Sequence, residues 1–227
     1  MSWVTCRSSA SSWRNEVSLS MGAKYSDLDD LRLDVLKEVS NIGAGNAATA
    51  LAKLIKQPVK MTVPAVYNLS FDQVADIVGG PETIVAGILQ EVSGDLKADL
   101  LLLLPWSQAC VILDILLGRG VKQTFALDAL ETSALEELGN IMANSFLNAL
   151  AKFTKMKFYP HVPALAVDMA GAVLSLPLAR LGEMVEQALV IDTEFHQQQR
   201  SVTGYFLFIP APEDLETFFQ NLEVVSR

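Results

Sequence analysis

Leu36-Lys37-Glu38-Val39-Ser40-Asn41-Ile42 returns, with substitutions, as Leu135-Glu136-Glu137-Leu138-Gly139-Asn140-Ile141. The two copies lie 99 residues apart, and the spacing holds without a slip over about 30 residues. Ala50-Leu51-Ala52-Lys53 meets Ala149-Leu150-Ala151-Lys152, and Pro64-Ala65 meets Pro163-Ala164. A duplication of this length means one structural unit used twice. An internally duplicated α+β domain with pseudo-twofold symmetry is therefore expected, carrying two similar surfaces.

Both stretches read as helices, and the helical angle separates their faces. At 100° per residue with Glu38 at zero, Leu36, Val39, Gly43, Ala47, Ala50 and Leu54 cluster on one side and face a core. Asp34, Glu38, Asn41, Gly45 and Thr49 fall on the other. The second copy repeats the partition, with Leu135, Leu138, Met142, Phe146, Ala149, Leu150 and Phe153 inward and Ser133, Glu137, Asn140, Asn144 and Asn148 outward. Each helix thus displays a carboxylate and a carboxamide one turn apart. Exposed Glu and Asn on a helix are ordinarily only solvated. Asn, however, costs roughly 0.7 kcal/mol against Ala inside a helix, and keeping it twice beside a Glu, where no packing offsets the cost, points to a role. Gly43 and Gly45 thin the first helix: Gly43 faces inward and suits helix packing, and Gly45 lies on the Glu/Asn side, where it admits a close partner. Met142 and Asn144 stand at these positions in the second copy.

Other chemistries find little support. His161 and His196 have no second ligand at metal spacing and read as strand or loop residues. Cys110 lies in an apolar helical run and reads as a buried, inert thiol, and it forms no C-x-x-C pair with Cys6. Gly79-Gly80-Pro81 is a turn, since no phosphate-loop or dinucleotide pattern surrounds it. A net charge of −9 with no basic stripe argues against nucleic acid and anionic membranes. The longest apolar run, Leu100 to Trp106, is far short of the ~20 residues of a spanning helix, so no membrane insertion is expected. Two cysteines in 227 residues favour the cytoplasm.

Of these 227 residues 51% are apolar, enough for one sizeable core. Residues 1–24 lack periodicity and a signal-peptide core, and are expected to be a disordered tail. A single domain follows over 25–227, with repeats at about 30–118 and 129–225. After each long helix the pattern predicts an extended run (Val59 to Leu69; Lys157 to Val167), then a short helix (Phe71 to Val78; Ala170 to Met184, broken by Pro177). Two strands follow (Ile84 to Val92 and Leu96 to Leu104; Ala188 to Phe195 and Ser201 to Ile209), then a closing helix (Ser107 to Leu117; Pro212 to Leu222). Val121 to Ala126 links the halves. Leu104-Pro105 aligns with Ile209-Pro210 at an offset of 105, which implies about six residues gained in the second half. The sheet should be mainly antiparallel, with the two Glu/Asn helices side by side on it.

These helices, with Asn-Ile-Gly-Ala-Gly-Asn-Ala at 41–47 and Leu-Asn-Ala-Leu-Ala at 147–151, resemble the CheC-type phosphatases of chemotaxis, the CheC/CheX/FliY group, over roughly residues 30 to 225. The resemblance implies a protein phosphatase of two-component signalling that dephosphorylates the response regulator CheY. Glu38 and Asn41 match the first motif of the family and Glu137 and Asn140 the second. On this reading Asn orients the attacking water and Glu engages the lysine of the regulator's phosphate pocket. The chain needs no cofactor of its own, because the magnesium sits on the regulator. The resemblance also implies binding to CheD, with Asp168 and Gly171 in Asp168-Met169-Ala170-Gly171-Ala172 as the candidate contact. A non-catalytic CheD-binding adaptor or a flagellar-switch scaffold is the alternative. Intact Glu and Asn in both copies favour the enzyme, and with nothing after Arg227 to supply a further switch domain a FliY-like assembly is not the expectation. Gly45 and Thr49 are smaller than Asn144 and Asn148, which favours the first site for close docking.

Overall fold

Every strand pairing in the sheet is antiparallel, and the order of the strands shows how the repeats are joined. The computed structural model describes residues 30–119, 124–181 and 187–223. The first repeat runs α1 (Asp30–Ile55), β1 (Lys60–Thr62), β2 (Val66–Ser70), α2 (Phe71–Ile77), β3 (Ile84–Gly94), β4 (Ala98–Pro105) and α3 (Trp106–Leu117). The second runs α4 (Ala129–Thr154), β5 (Phe158–Pro160), β6 (Ala164–Met169), α5 (Ala170–Leu181), β7 (Gln187–Gln197), β8 (Arg200–Pro210) and α6 (Pro212–Glu223). β4 and β8 pair at the centre of the eight-stranded sheet, flanked by β3 and β7. The outer strands are exchanged: β1 and β2 add to β7 of the second repeat, and β5 and β6 add to β3 of the first. Neither repeat completes its sheet alone. The expected tail at 1–24 and part of the expected link lie outside the described residues.

The sheet is covered on both faces, which makes three layers. Alternation along β4 sends Leu100, Leu102 and Leu104 to a core shared with α1, α3, α4 and α6, and Leu101 and Leu103 to a core under α2 and α5. All five leucines are at most 1% exposed, and each such burial stabilises by about 1.5–3 kcal/mol. That double burial is why this strand reads as an unbroken apolar run. The capping boxes Ser70/Gln73 and Asp128/Glu131 start α2 and α4.

α1 and α4 lie side by side as expected. A Cβ on Gly43 would come within 3.1 Å of the Phe146 backbone, so this glycine sets the approach of the two helices. Gly139 plays the corresponding part for α4 on the sheet, since a Cβ there would sit 2.4 Å from Ile88.

Three expectations need correction. Leu54, expected inward, is exposed: the apolar face of α1 stops at Leu51, one turn before its end. Pro177 does not break its helix: α5 is continuous from Ala170 to Leu181. Packing of Val173, Leu174, Leu178 and Leu181 outweighs the ~3 kcal/mol proline penalty. The alignment of Leu104 with Ile209 is one residue out. Leu89 faces Leu101 in the first hairpin and its counterpart Asp192 faces Tyr205 in the second, so β4 and β8 correspond at an offset of 104. Leu104 then matches Phe208, in the same core, whereas Ile209 belongs to the other. A one-residue slip in a strand exchanges its faces.

Candidate functional site

Both Glu/Asn pairs lie on the outward side of the helical layer, each beside the loop that joins the next two strands of its own repeat. Glu38 and Glu137 are exposed, and Asn41 and Asn140 are half-buried. The structure keeps each pair together on its helix, yet the carboxamides are used differently.

In the first repeat, Asn41 Oδ1 accepts from the backbone N–H of Val63 at 3.1 Å, and Asn41 Nδ2 donates to Lys37 O at 3.2 Å. The β1–β2 loop is thereby drawn onto the helix, and Val63 is only 4% exposed. Asn41 does not occupy the idle exposed position that its helical angle implies. It anchors a loop, and that bond offsets its poor helix propensity.

The second repeat departs from this at one residue. Asn144 Nδ2 donates to Asn140 Oδ1 at 2.7 Å and to Asn140 O at 2.8 Å, while Asn140 Nδ2 donates to Glu137 Oε2 at 3.4 Å. The β5–β6 loop stands away from the helix, and at its start His161 is paired to β3 as Thr62 is to β7 in the first repeat. His161 N donates to Glu91 O, Gln90 Nε2 donates to His161 O, and the His161 ring meets Ser93 Oγ at 3.0 Å. Val162, the counterpart of Val63, is 87% exposed. Between the loop at 160–163 and a wall of Ser133, Glu136, Glu137 and Asn140 lies a pocket of about 430 Å³. The expectation that smaller neighbours leave the first site more accessible is therefore reversed in the geometry.

His161 was read from the sequence only as a strand or loop histidine, and its place in this pocket was missed. The signal was available in the repeat: it stands where the first copy has Thr62, two residues before the repeated Pro64 and Pro163. Asp168 and Gly171 are not brought to either pair. Both are exposed at the junction of β6 with α5, in the opposite helical layer, where Gly171 N donates to Pro81 O at 2.9 Å.

Burial pushes Asp99 up to about 6. Its Oδ2 accepts from Arg180 Nε at 3.3 Å, Arg180 also pairs with Glu91, and Asp99 Oδ1 has no partner. Burial, then the charge of Glu131, pushes the Cys110 thiol up, in keeping with an inert residue. Among the described residues no three His, Cys, Asp or Glu side chains converge as metal ligands, and no helix is long and apolar enough to cross a membrane.

The model of the CheC-like family matches residues 31–67 and 130–167, each a Glu/Asn helix and the loop beside it. The CheY-P phosphatase CheC of Bacillus subtilis (strain 168) is 37% identical over 202 residues, which cover 87% of this chain and 97% of that protein. This chain belongs to the CheC-like family. The flagellar motor switch phosphatase FliY of the same strain is 30% identical over 126 residues, 55% of this chain and 32% of that protein. Among solved structures, that of Thermotoga maritima FliY superposes with a TM-score of 0.69 at 20% identity, covering 87% of this chain and 98% of the other. It supports the fold read here: an antiparallel sheet with two long paired helices.

Proposed function

We propose that this chain is a protein phosphatase that hydrolyses the aspartyl phosphate of a phosphorylated chemotaxis response regulator, CheY-P, in the cytoplasm. The observation that carries the reading is the outward placement of Glu38/Asn41 and Glu137/Asn140, in the two segments that the chain shares with the family. Its near end-to-end similarity to a CheY-P phosphatase supports the substrate.

Hydrolysis of an acyl phosphate passes through a loose, in-line transition state that asks for positioning and charge stabilisation, not for a nucleophile from this chain. A carboxamide has both donor and acceptor capacity and can orient the attacking water. A carboxylate one turn away can engage the lysine of the regulator's phosphate pocket, which aligns the two proteins. The magnesium that neutralises the phosphoryl oxygens is the regulator's. Of the two pairs, Glu137 and Asn140 are the better disposed, since they face a pocket and are already in register with each other.

Asp168 and Gly171 form a separate surface, which we assign to CheD. β6 is hydrogen-bonded to β3 and leads at Met169 into α5, with Asp168, Met169 and Gly171 all exposed. Mixing the protein with phosphorylated CheY, with and without CheD, and following loss of the phosphoryl group tests the whole reading. Acceleration that disappears in the Asn41→Ala/Asn140→Ala double variant is expected. Binding of CheY-P without acceleration would instead favour the adaptor or scaffold.

A further inference from the structure

We infer that residue 144, and its counterpart residue 45, decides which carboxamide is free to meet a partner: Asn144 is a positioning residue that holds Asn140 and keeps its loop open, and Gly45 lets Val63 close over Asn41. The inference rests on the phosphatase reading only for its kinetic consequence.

The polarity of the second network has one solution. The Glu137 carboxylate accepts and cannot donate, so Asn140 must present its N–H to it. The Asn140 oxygen then points along the helix toward residue 144, where only a donor fits. Asn144 supplies that donor at 2.7 Å. With one N–H and one lone pair engaged on its own helix, the Asn140 oxygen faces residue 144 and not the loop backbone, while the second N–H and second lone pair of Asn140 remain for a partner. The strand pairing below the loop is common to both copies, His161 with Glu91 here and Thr62 with Glu194 in the first; this loop adds the side-chain bonds of Gln90 and Ser93 to His161, and Val162 stays 87% exposed.

Residue 45 occupies the same helical position, one turn beyond Asn41, and has no side chain. Asn41 Oδ1 therefore has no donor on its own helix, and the N–H of Val63 takes the place at 3.1 Å. Nothing steric enforces the glycine. A Cβ built on Gly45 meets no atom within 4 Å, and the residue is exposed. An Asn at 45 can adopt the geometry of Asn144 without disturbing the helix, and would compete with Val63 for Asn41.

Three variants test this with two readouts. Amide hydrogen exchange follows the latch independently of activity. Gly45→Asn should lower protection of the Val63 N–H, and Asn144→Gly should raise that of the Val162 N–H. Asn144→Asp keeps the volume and removes the donor, and Asn144→Gly removes both.

Turnover of phosphorylated CheY follows the consequence. In an Asn41→Ala background, where only the second pair acts, Asn144→Asp should lower kcat about tenfold or more with KM little changed, as a lost near-attack geometry does. In an Asn140→Ala background, Gly45→Asn should raise turnover by the first pair severalfold. Exchange at Val63 and Val162 that ignores all three variants overturns the latch even if the wild type is active. Shifted exchange with wild-type turnover but unchanged kcat overturns the positioning role. A wild type without turnover overturns the phosphatase reading and that role with it, while the latch still stands or falls on exchange.

Discussion

The two Glu/Asn surfaces come from one ancestral unit, yet one carboxamide is spent on holding a loop and the other is held ready beside a pocket. Val63 at 4% and Val162 at 87% exposure measure the difference. Two copies of a motif are thus not two copies of a site. What a polar side chain can do depends on which of its hydrogen bonds the neighbours have already taken. The charges diverge as well: Lys37 stands beside Glu38, where the second copy has Glu136 beside Glu137. A lysine from a partner meets a more negative surface at the second pair.

Activity should show the largest contrast. Asn140→Ala is expected to remove most turnover of phosphorylated CheY, by about tenfold or more. Asn41→Ala should cost less than half, and the double variant should be inactive. Equal losses in the single variants, measured as initial rates, would erase the comparison.

The next effect is on stability against pH, at a group the second repeat lacks. Asp99 corresponds to Thr203 in the register of the sheet. Its carboxyl, pushed up to about 6 by burial from 3.8, holds a proton in the folded state over a range where the unfolded chain has released it. Folding stability from this group is therefore full below about pH 4 and falls as pH rises to about 6, by at most about 3 kcal/mol. Arg180 at its other oxygen reduces that figure. Asp99→Asn should flatten the fall relative to the wild type in melting curves between pH 4 and 7. An unchanged slope would show that the carboxylate is not buried uncompensated.

Equivalent helix positions should also respond unequally. Gly139→Ala places a methyl 2.4 Å from Ile88, and an overpacked site of this kind costs about 2 kcal/mol. Ser40→Ala, at the counterpart position, should be close to neutral, since Ser40 Oγ only donates to Leu36 O within its own helix. Denaturant midpoints compare the two directly.

The smallest contrast sharpens the latch. Asn41→Ala orphans the Val63 N–H and should cost about 1 kcal/mol. Asn140→Ala breaks no tie to another segment and should be neutral or slightly stabilising, because Ala is the better helix former. Equal stability changes would mean that the Asn41–Val63 bond contributes nothing net.

The repeat, the apolar faces of α1 and α4 short of the last turn of α1, the inward Gly43 and the hairpin strands were legible in the sequence by itself. Each is written in local periodicity or in residues compared at a constant offset, and neither requires knowing what a segment touches. The β3–β4 and β7–β8 hairpins were readable because their partners are adjacent in the chain. The exchange of β1 and β2 onto β7, and of β5 and β6 onto β3, was decided only in three dimensions, because pairings over 64 to 136 residues leave no local trace. The continuity of α5 through Pro177 and the buried charge of Asp99 depend in the same way on what lies across the sheet. So does the unequal fate of the two carboxamides: Gly45 and Asn144 are plain in the sequence, but their meaning appears only once a loop 22 residues from Asn41 is seen competing for its oxygen.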